Sequence, residues 1–430
     1  MSTNAPTSSL SPTAFATWVI LLLALPTVTI FYLNLSADPF QLVFKDDPDE
    51  LAFLSRNGQD RYQNPGVVIN YQPSSIVVGH SLAANFQPSR LEKTLGWQRV
   101  YNLSMQGSTI YEHRRVVDYA LERAPVERVF WLFFPPNLGL PPKVNATDMV
   151  FPEYLYDWQR LNDLRFFATL PTNLAPFVAQ KAEARRFLEE RALVSGRVEQ
   201  ARDYATNWQL TRSNRFNAPN AVAEDVMGDL AKKPREFMEL LRAGPEHLTP
   251  KDFASSMVSP TSSFHPNVES NLRGIVAANP QVQFLFVPMP PLSLLHWQTM
   301  RATDIESYLE QLSYVRSFVE IMSPYGNVEI YGFGLSPLAE DLRLYRDYGH
   351  YHMAVNEAML DAMASGGARL HIDNIDQHLS SFDRRVLNYR LRSYQPVDIE
   401  NSERLVKGEL SLVDGREIVS AIERRSAARH

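Results

Sequence analysis

Two short stretches carry side chains whose types and spacing suit nucleophilic catalysis: Gly79-His80-Ser81-Leu82 and Asp347-Tyr348-Gly349-His350. A serine hydroxyl is a weak nucleophile until an adjacent imidazole takes its proton. That imidazole needs an acceptor on its other nitrogen to fix tautomer and orientation. Ser81 would be the nucleophile, His350 the base and Asp347 the orienting acid, the last two presented by one loop. Acyl transfer also needs donors for an oxyanion. Candidates are the backbone N–H of Ser81, the backbone N–H of Gly107 in "NLSMQGST" and the side-chain amide of Asn137 in "FFPPN". Each piece alone has a plainer reading: Gly-x-Ser as a helix cap, Gly107 as a turn glycine, Asn137 as a loop amide, His80 as a structural or rim residue. His350-x-His352 with Asp347 also spells a metal set, but that set leaves Ser81 without a role, and no metal or cofactor is expected. His352 begins the next helix and is expected to point elsewhere.

Elements able to position these residues follow from the hydrophobic pattern. Five short β-rich runs, Ile76–Val78, Val100–Leu103, Val129–Phe134, Val282–Val287 and Val328–Phe333, alternate with helical patterns. Ser89 reads as the cap of a short helix that Gly96 stops, and Thr109-x-x-Glu112 is a capping box opening another. Near-continuous apolar strands between helices predict an α/β domain, a five-stranded parallel sheet flanked by helices as in flavodoxin-like three-layer folds. Ligands in such sheets bind beyond the carboxyl ends of the strands, where Gly79-His80-Ser81 falls. From about Glu153 to Pro260 the alternation stops, which predicts a helical insertion overhanging the strand ends. Phe264–Asn267 ("FHPN") and His296–Gln298 ("HWQ") are candidate cleft-lining elements, with packing as their plainer role. The predicted α/β domain covers residues 72–365, and a charged extension follows over 366–430.

Ahead of that domain, Ala14 to Leu33 is uncharged and long enough to span roughly 30 Å as a helix. No Lys or Arg precedes Lys45 and no small-x-small cleavage site follows, so residues 14–33 read as a retained bilayer anchor after a tail of residues 1–13. Residues 34–71, polar and turn-rich, read as a stalk. The positive-inside rule rests on Lys45 alone, and long domains translocate largely regardless of charge, so the sequence leaves the side of the membrane open. Among 430 residues there is no cysteine, which excludes disulfides, thiolate metal sites and a cysteine nucleophile. With a net charge of -6 and scattered basic residues, nucleic acid is not an expected partner.

Gly79-His80-Ser81-Leu82, Gly107, Asn137 and Asp347-x-x-His350, in that order, resemble the four blocks of the SGNH/GDSL hydrolase superfamily. The resemblance covers about residues 72–365 without the insertion. His80 stands where that family has the aspartate of Gly-Asp-Ser-Leu, and Pro135-Pro136-Asn137 where it has Gly-x-Asn-Asp. With its anchor the chain looks most like the membrane-bound branch that includes the D-alanyl-transfer protein of teichoic acid synthesis. The alginate O-acetylation proteins are similar in theme but place the Asp-His pair ahead of the serine. The resemblance implies an anchored serine O-acyltransferase or esterase working through an acyl-Ser81 intermediate. It implies a glycan or envelope polymer as acceptor, a membrane-embedded acyltransferase as partner, and a periplasmic or extracellular domain. The alternative is a non-catalytic envelope scaffold that binds a membrane partner.

Overall fold

The computed structural model describes residues 11–38, 40, 42–43, 60–146, 149–168, 253, 255, 257–341, 344–345 and 349–389. Asp347, most of the expected insertion, most of the first part of the expected stalk and the extension beyond Tyr389 lie outside the described residues.

Helix α1 (Pro12–Ala37) is long and apolar enough to cross a membrane. Ser11 caps it by accepting from the Ala14 N–H, and Pro12 sits where a missing N–H costs nothing. Its Thr17, Thr27, Thr29 and Ser36 hydroxyls donate to carbonyls four residues back at 2.6–2.9 Å, so these polar groups are satisfied within the helix. Phe15, Trp18, Leu22 and Leu25 are exposed. The helix runs past Leu33, and its last turns leave the apolar stretch to dock on the domain.

Residues 60–71 correct the stalk reading. They form α2 (Asp60–Tyr71), most of it buried against a helix of the domain. The polar composition misled because its charge is spent internally: Arg61 lies 2.8 Å from Glu112, the side chains 2% and 0% exposed. A pair this deep costs about 3–5 kcal/mol to break by removing one partner.

The sheet comprises β1 (Ser75–Gly79), β2 (Val100–Asn102), β3 (Arg128–Leu132), β4 (Gln283–Met289) and β5 (Val328–Gly332). All pairs are parallel and the order is β2-β1-β3-β4-β5. Between β1 and β2 runs α3 (Pro88–Leu95), and between β2 and β3 runs α4 (Ile110–Arg123). After β3 come α5 (Pro135–Leu138) and α6 (Arg160–Ala168), then α7 (Phe264–Val268), a π-helical turn (Glu269–Arg273) and α8 (Gly274–Ala278). Helices α9 (Leu294–Thr303) and α10 (Ile305–Met322) lead to β5, and α11 (Met353–Ala364) and α12 (Ile375–Asn388) follow it.

The chain winds from β1 to β2 in one direction and from β2 through β3 to β5 in the other. Right-handed crossovers therefore put α3 on one face and α4 and α10 on the opposite face, and α11 packs beside α3. Burial on both faces explains the unbroken apolar strands: β1 is buried throughout. Trp131, Phe133, Phe286 and Phe318 fill the layer between sheet and helices with centroids 5.3–6.3 Å apart. The capping box at Thr109 and Glu112 is present. The α3 cap is two residues earlier than expected: Gln87 holds it, with Pro88 at the first helical position and Gly96 ending the helix at φ 68°. The first part of the charged extension belongs to the domain, because α12 buries Ile375, Leu379, Phe382 and Val386 where it packs on α9 and α10.

Candidate functional site

Strand β1 delivers its carboxyl end to the point where the winding order reverses, between β1 and β3, the usual ligand crevice of such sheets. Gly79 is required there by space. A Cβ would collide with the Leu132 carbonyl of β3 and come within 2.7 Å of the Ala83 Cβ. His80 turns inward, 3% exposed, its ring stacked on Phe134 at 4.0 Å. Its Nδ1 accepts from the Leu82 N–H at 3.3 Å. Burial pushes the His80 imidazole well below its ordinary range, reinforced by His113 and His350, so it is neutral and part of the floor rather than the rim.

Ser81 turns the other way and stays partly exposed, as does His350. Ser81 Oγ lies 2.8 Å from His350 Nε2. The tautomer that accepts the Ser81 proton at Nε2 carries its own on Nδ1, the nitrogen for which an acid acceptor is needed. Asp347, the expected acid, lies outside the described residues.

The contact spans 269 residues of sequence, and buried asparagines hold its two sides together. Asn85 donates to the Tyr351 carbonyl at 3.4 Å and Asn356 of α11 to the Leu82 carbonyl at 3.3 Å. Asn102, at the end of β2, donates to the carbonyls of Ala83 and Phe86 at 2.8 and 3.0 Å. Tyr351 is fixed in turn by its bridge to Tyr345, whose hydroxyl donates to the Pro291 carbonyl at 2.5 Å. Sequence reasoning passed over these asparagines; an amide at a strand end or helix start has no periodicity to flag it. His352 is the N-cap of α11, its Nδ1 accepting from the Ala354 N–H at 3.1 Å. Among the described residues no group of metal-ligating side chains is assembled.

Gly107 and Asn137 sit on the two flanking loops. The β1–β2 pairing continues past the strands, with the Leu103 N–H on the Val77 carbonyl at 2.7 Å and the Met105 N–H on the Gly79 carbonyl at 2.8 Å. This brings the loop of Gly107 alongside the residues leading to Ser81. Gly107 has φ 59° and nothing near a would-be Cβ, so the glycine serves the backbone turn. Asn137 lies in α5, and its amide donates to the Ser108 carbonyl at 3.3 Å. Its own carbonyl and that of Leu138 accept from Asn267 at 2.8 and 3.1 Å. The "FHPN" stretch therefore supports the Asn137 turn from below, while Phe264 stacks on Tyr314. His296 lies in the first turn of α9, its ring edge-to-face with Trp297.

Sequence reasoning also missed a second serine–histidine contact, Ser108 Oγ to His113 Nε2 at 2.7 Å, directly behind the Gly107 loop. The two pairs share the carboxyl edge of one sheet. Compared with known proteins, the chain matches no family model, no curated protein and no solved structure.

Proposed function

We propose that the protein is a membrane-anchored serine O-acyltransferase or esterase of the SGNH type. The observation that carries this reading is the 2.8 Å contact between Ser81 Oγ and His350 Nε2 at the strand-order reversal. In the proposed reaction His350 takes the Ser81 proton as Oγ attacks an acyl carbonyl. The oxyanion is held by the N–H groups of Ser81 and Gly107 and by Asn137, and the leaving group departs with the proton from His350. Water or an acceptor hydroxyl then attacks the acyl-Ser81 ester with His350 again as base. Asp347 is assigned the Nδ1 side of His350. The reaction needs no cofactor.

The docking of α1 supports a substrate supplied at a membrane. Phe31 packs edge-to-face on Phe167 and Asn34 donates to the Phe167 carbonyl at 2.9 Å. Phe40 and Phe166 both pack on Tyr62, next to Arg61, which donates to the Gln106 carbonyl at 3.0 Å beside Gly107. The exit of the apolar helix is thus joined to the edge of the sheet that carries Ser81. An acyl group arriving from a membrane-embedded acyltransferase, and passed to a glycan or envelope polymer outside the cell, suits that arrangement. The test is labelling of the full chain in detergent with a fluorophosphonate probe. Wild type should take up one equivalent and Ser81→Ala none; labelling that survives the substitution would sink the reading.

A further inference from the structure

The Ser108–His113 pair resembles the Ser81–His350 pair in distance and differs in direction. Ser108 and His113 are 4% and 0% exposed. An indole N–H can only donate, and Trp131 Nε1 lies 3.2 Å from His113 Nδ1. Nδ1 is therefore the acceptor, the neutral ring carries its proton on Nε2, and that N–H donates to Ser108 Oγ. The Ser108 hydroxyl passes its own hydrogen to the Met105 carbonyl at 2.7 Å, with the Gly79 carbonyl at 3.3 Å. Such a histidine cannot receive a serine proton, because the nitrogen facing the serine has no free lone pair. The chain runs one way: Trp131 to His113 to Ser108 to the loop backbone.

What the chain ends on gives it a purpose. Met105 and Gly79 are hydrogen-bonded to each other, and the Ser108 carbonyl receives the Asn137 amide. A single buried serine thus touches the Gly79 backbone ahead of Ser81, the loop of Gly107 and the side chain of Asn137. We propose that Ser108 and His113 are positioning residues that set the oxyanion donors of the Ser81 site, with Trp131 fixing the polarity of the chain. This rests on the acyl-transfer reading of Ser81. Donors of this kind act only when held at the oxyanion's position, and a displacement of about 1 Å can cost on the order of 100-fold.

The experiment compares Ser108→Ala with wild type as full chains in detergent. On an activated acetyl ester kcat should fall roughly 10- to 100-fold with KM within about twofold. Affinity for a boronic acid, whose tetrahedral adduct on Ser81 mimics the oxyanion, should fall by the same factor as kcat. Hydrogen exchange over residues 104–109 should quicken, and Ser108→Thr, which keeps the hydroxyl, should recover most of the rate. If Ser108→Ala does not fold, Ser108→Cys, a weaker donor of similar size, supplies the same comparison. Two readouts stand apart from activity: the nitrogen NMR signature of His113, expected as the Nε2–H tautomer, and exchange in the loop. A Nδ1–H tautomer, or loop exchange and boronate affinity equal to wild type, would overturn the positioning role while leaving Ser81 intact. Equal losses in kcat and in ground-state binding, with a lowered melting temperature, would overturn it as mere packing. Labelling that persists in Ser81→Ala would remove the acyl-transfer reading itself, with the tautomer unchanged.

Discussion

Two serine–histidine contacts of 2.8 and 2.7 Å lie on one edge of the same sheet, and distance alone does not separate them. The first joins residues from opposite ends of the domain, is partly exposed, and runs in a direction that depends on the His350 tautomer. The second joins neighbours five residues apart, is buried, and has its direction set by an indole donor. The difference teaches that a hydroxyl–imidazole pair is read from its third partner. A donor on the far nitrogen makes the histidine a fixed strut, whereas an acceptor there makes it a base.

The comparison breaks most sharply at Ser81 and His350. Ser81→Ala and His350→Ala should each lower kcat by roughly 10⁴–10⁶, with little further loss when combined, since such residues act as a unit. Single-turnover hydrolysis of an activated ester reads this, and clear additivity would show that the two do not work together. The buried pair should give a much smaller kinetic effect and a clearer stability effect. Trp131→Phe removes the donor to His113 Nδ1 and leaves a buried acceptor unpaired, a cost of about 1–3 kcal/mol in chemical denaturation. Activity should change less than for any Ser81 variant. Unchanged stability would mean that the indole N–H does not set the tautomer.

Acid sharpens the same contrast. Burial, with a contribution from the Arg61 charge, pushes His113 down to about 3 from its usual 6.5. Burial alone lowers His378 to about 4, and His80 is lowered as well. Between these values and about 6.5 the unfolded chain binds protons that the folded chain does not. Stability should therefore be complete above pH about 6.5 and decline as pH falls toward 3, by up to about 1.4 kcal/mol per pH unit for each such histidine. Denaturation midpoints across that window measure it, and a slope no smaller in a folded His113→Gln variant would remove His113 from the account. The smallest effect belongs to His352. As a helix cap its replacement by Ala should cost roughly 1 kcal/mol in stability, while activity stays within about threefold and chelators change nothing. A His352→Ala variant as inactive as His350→Ala, restored by zinc, would instead favour a metal site.

Local chemistry made much of the architecture legible. The five β-rich runs correspond to β1 to β5, because strands largely buried on both faces are near-continuously apolar. The capping box at Thr109 and the stop at Gly96 could be read because each depends on residues a few positions apart. The stalk assignment failed at α2 for the opposite reason. Arg61, Gln63 and Asn64 look like solvent-facing residues until Glu112, 51 positions later, neutralises the arginine inside the fold.

The candidate site divides in the same way. Residue types and their places after strands were enough to single out Ser81, His350, Gly107 and Asn137 as chemistry in waiting. The pairing of Ser81 with His350 could be expected from the sequence but not fixed by it, since the contact depends on a winding order that reverses beside β1 and on asparagines bridging the two loops. Nor does the sequence distinguish His350 from His113. A proton's place on an imidazole is decided by whichever donor or acceptor the packed fold sets against the other nitrogen, and for His113 that neighbour, Trp131, comes from the adjoining strand.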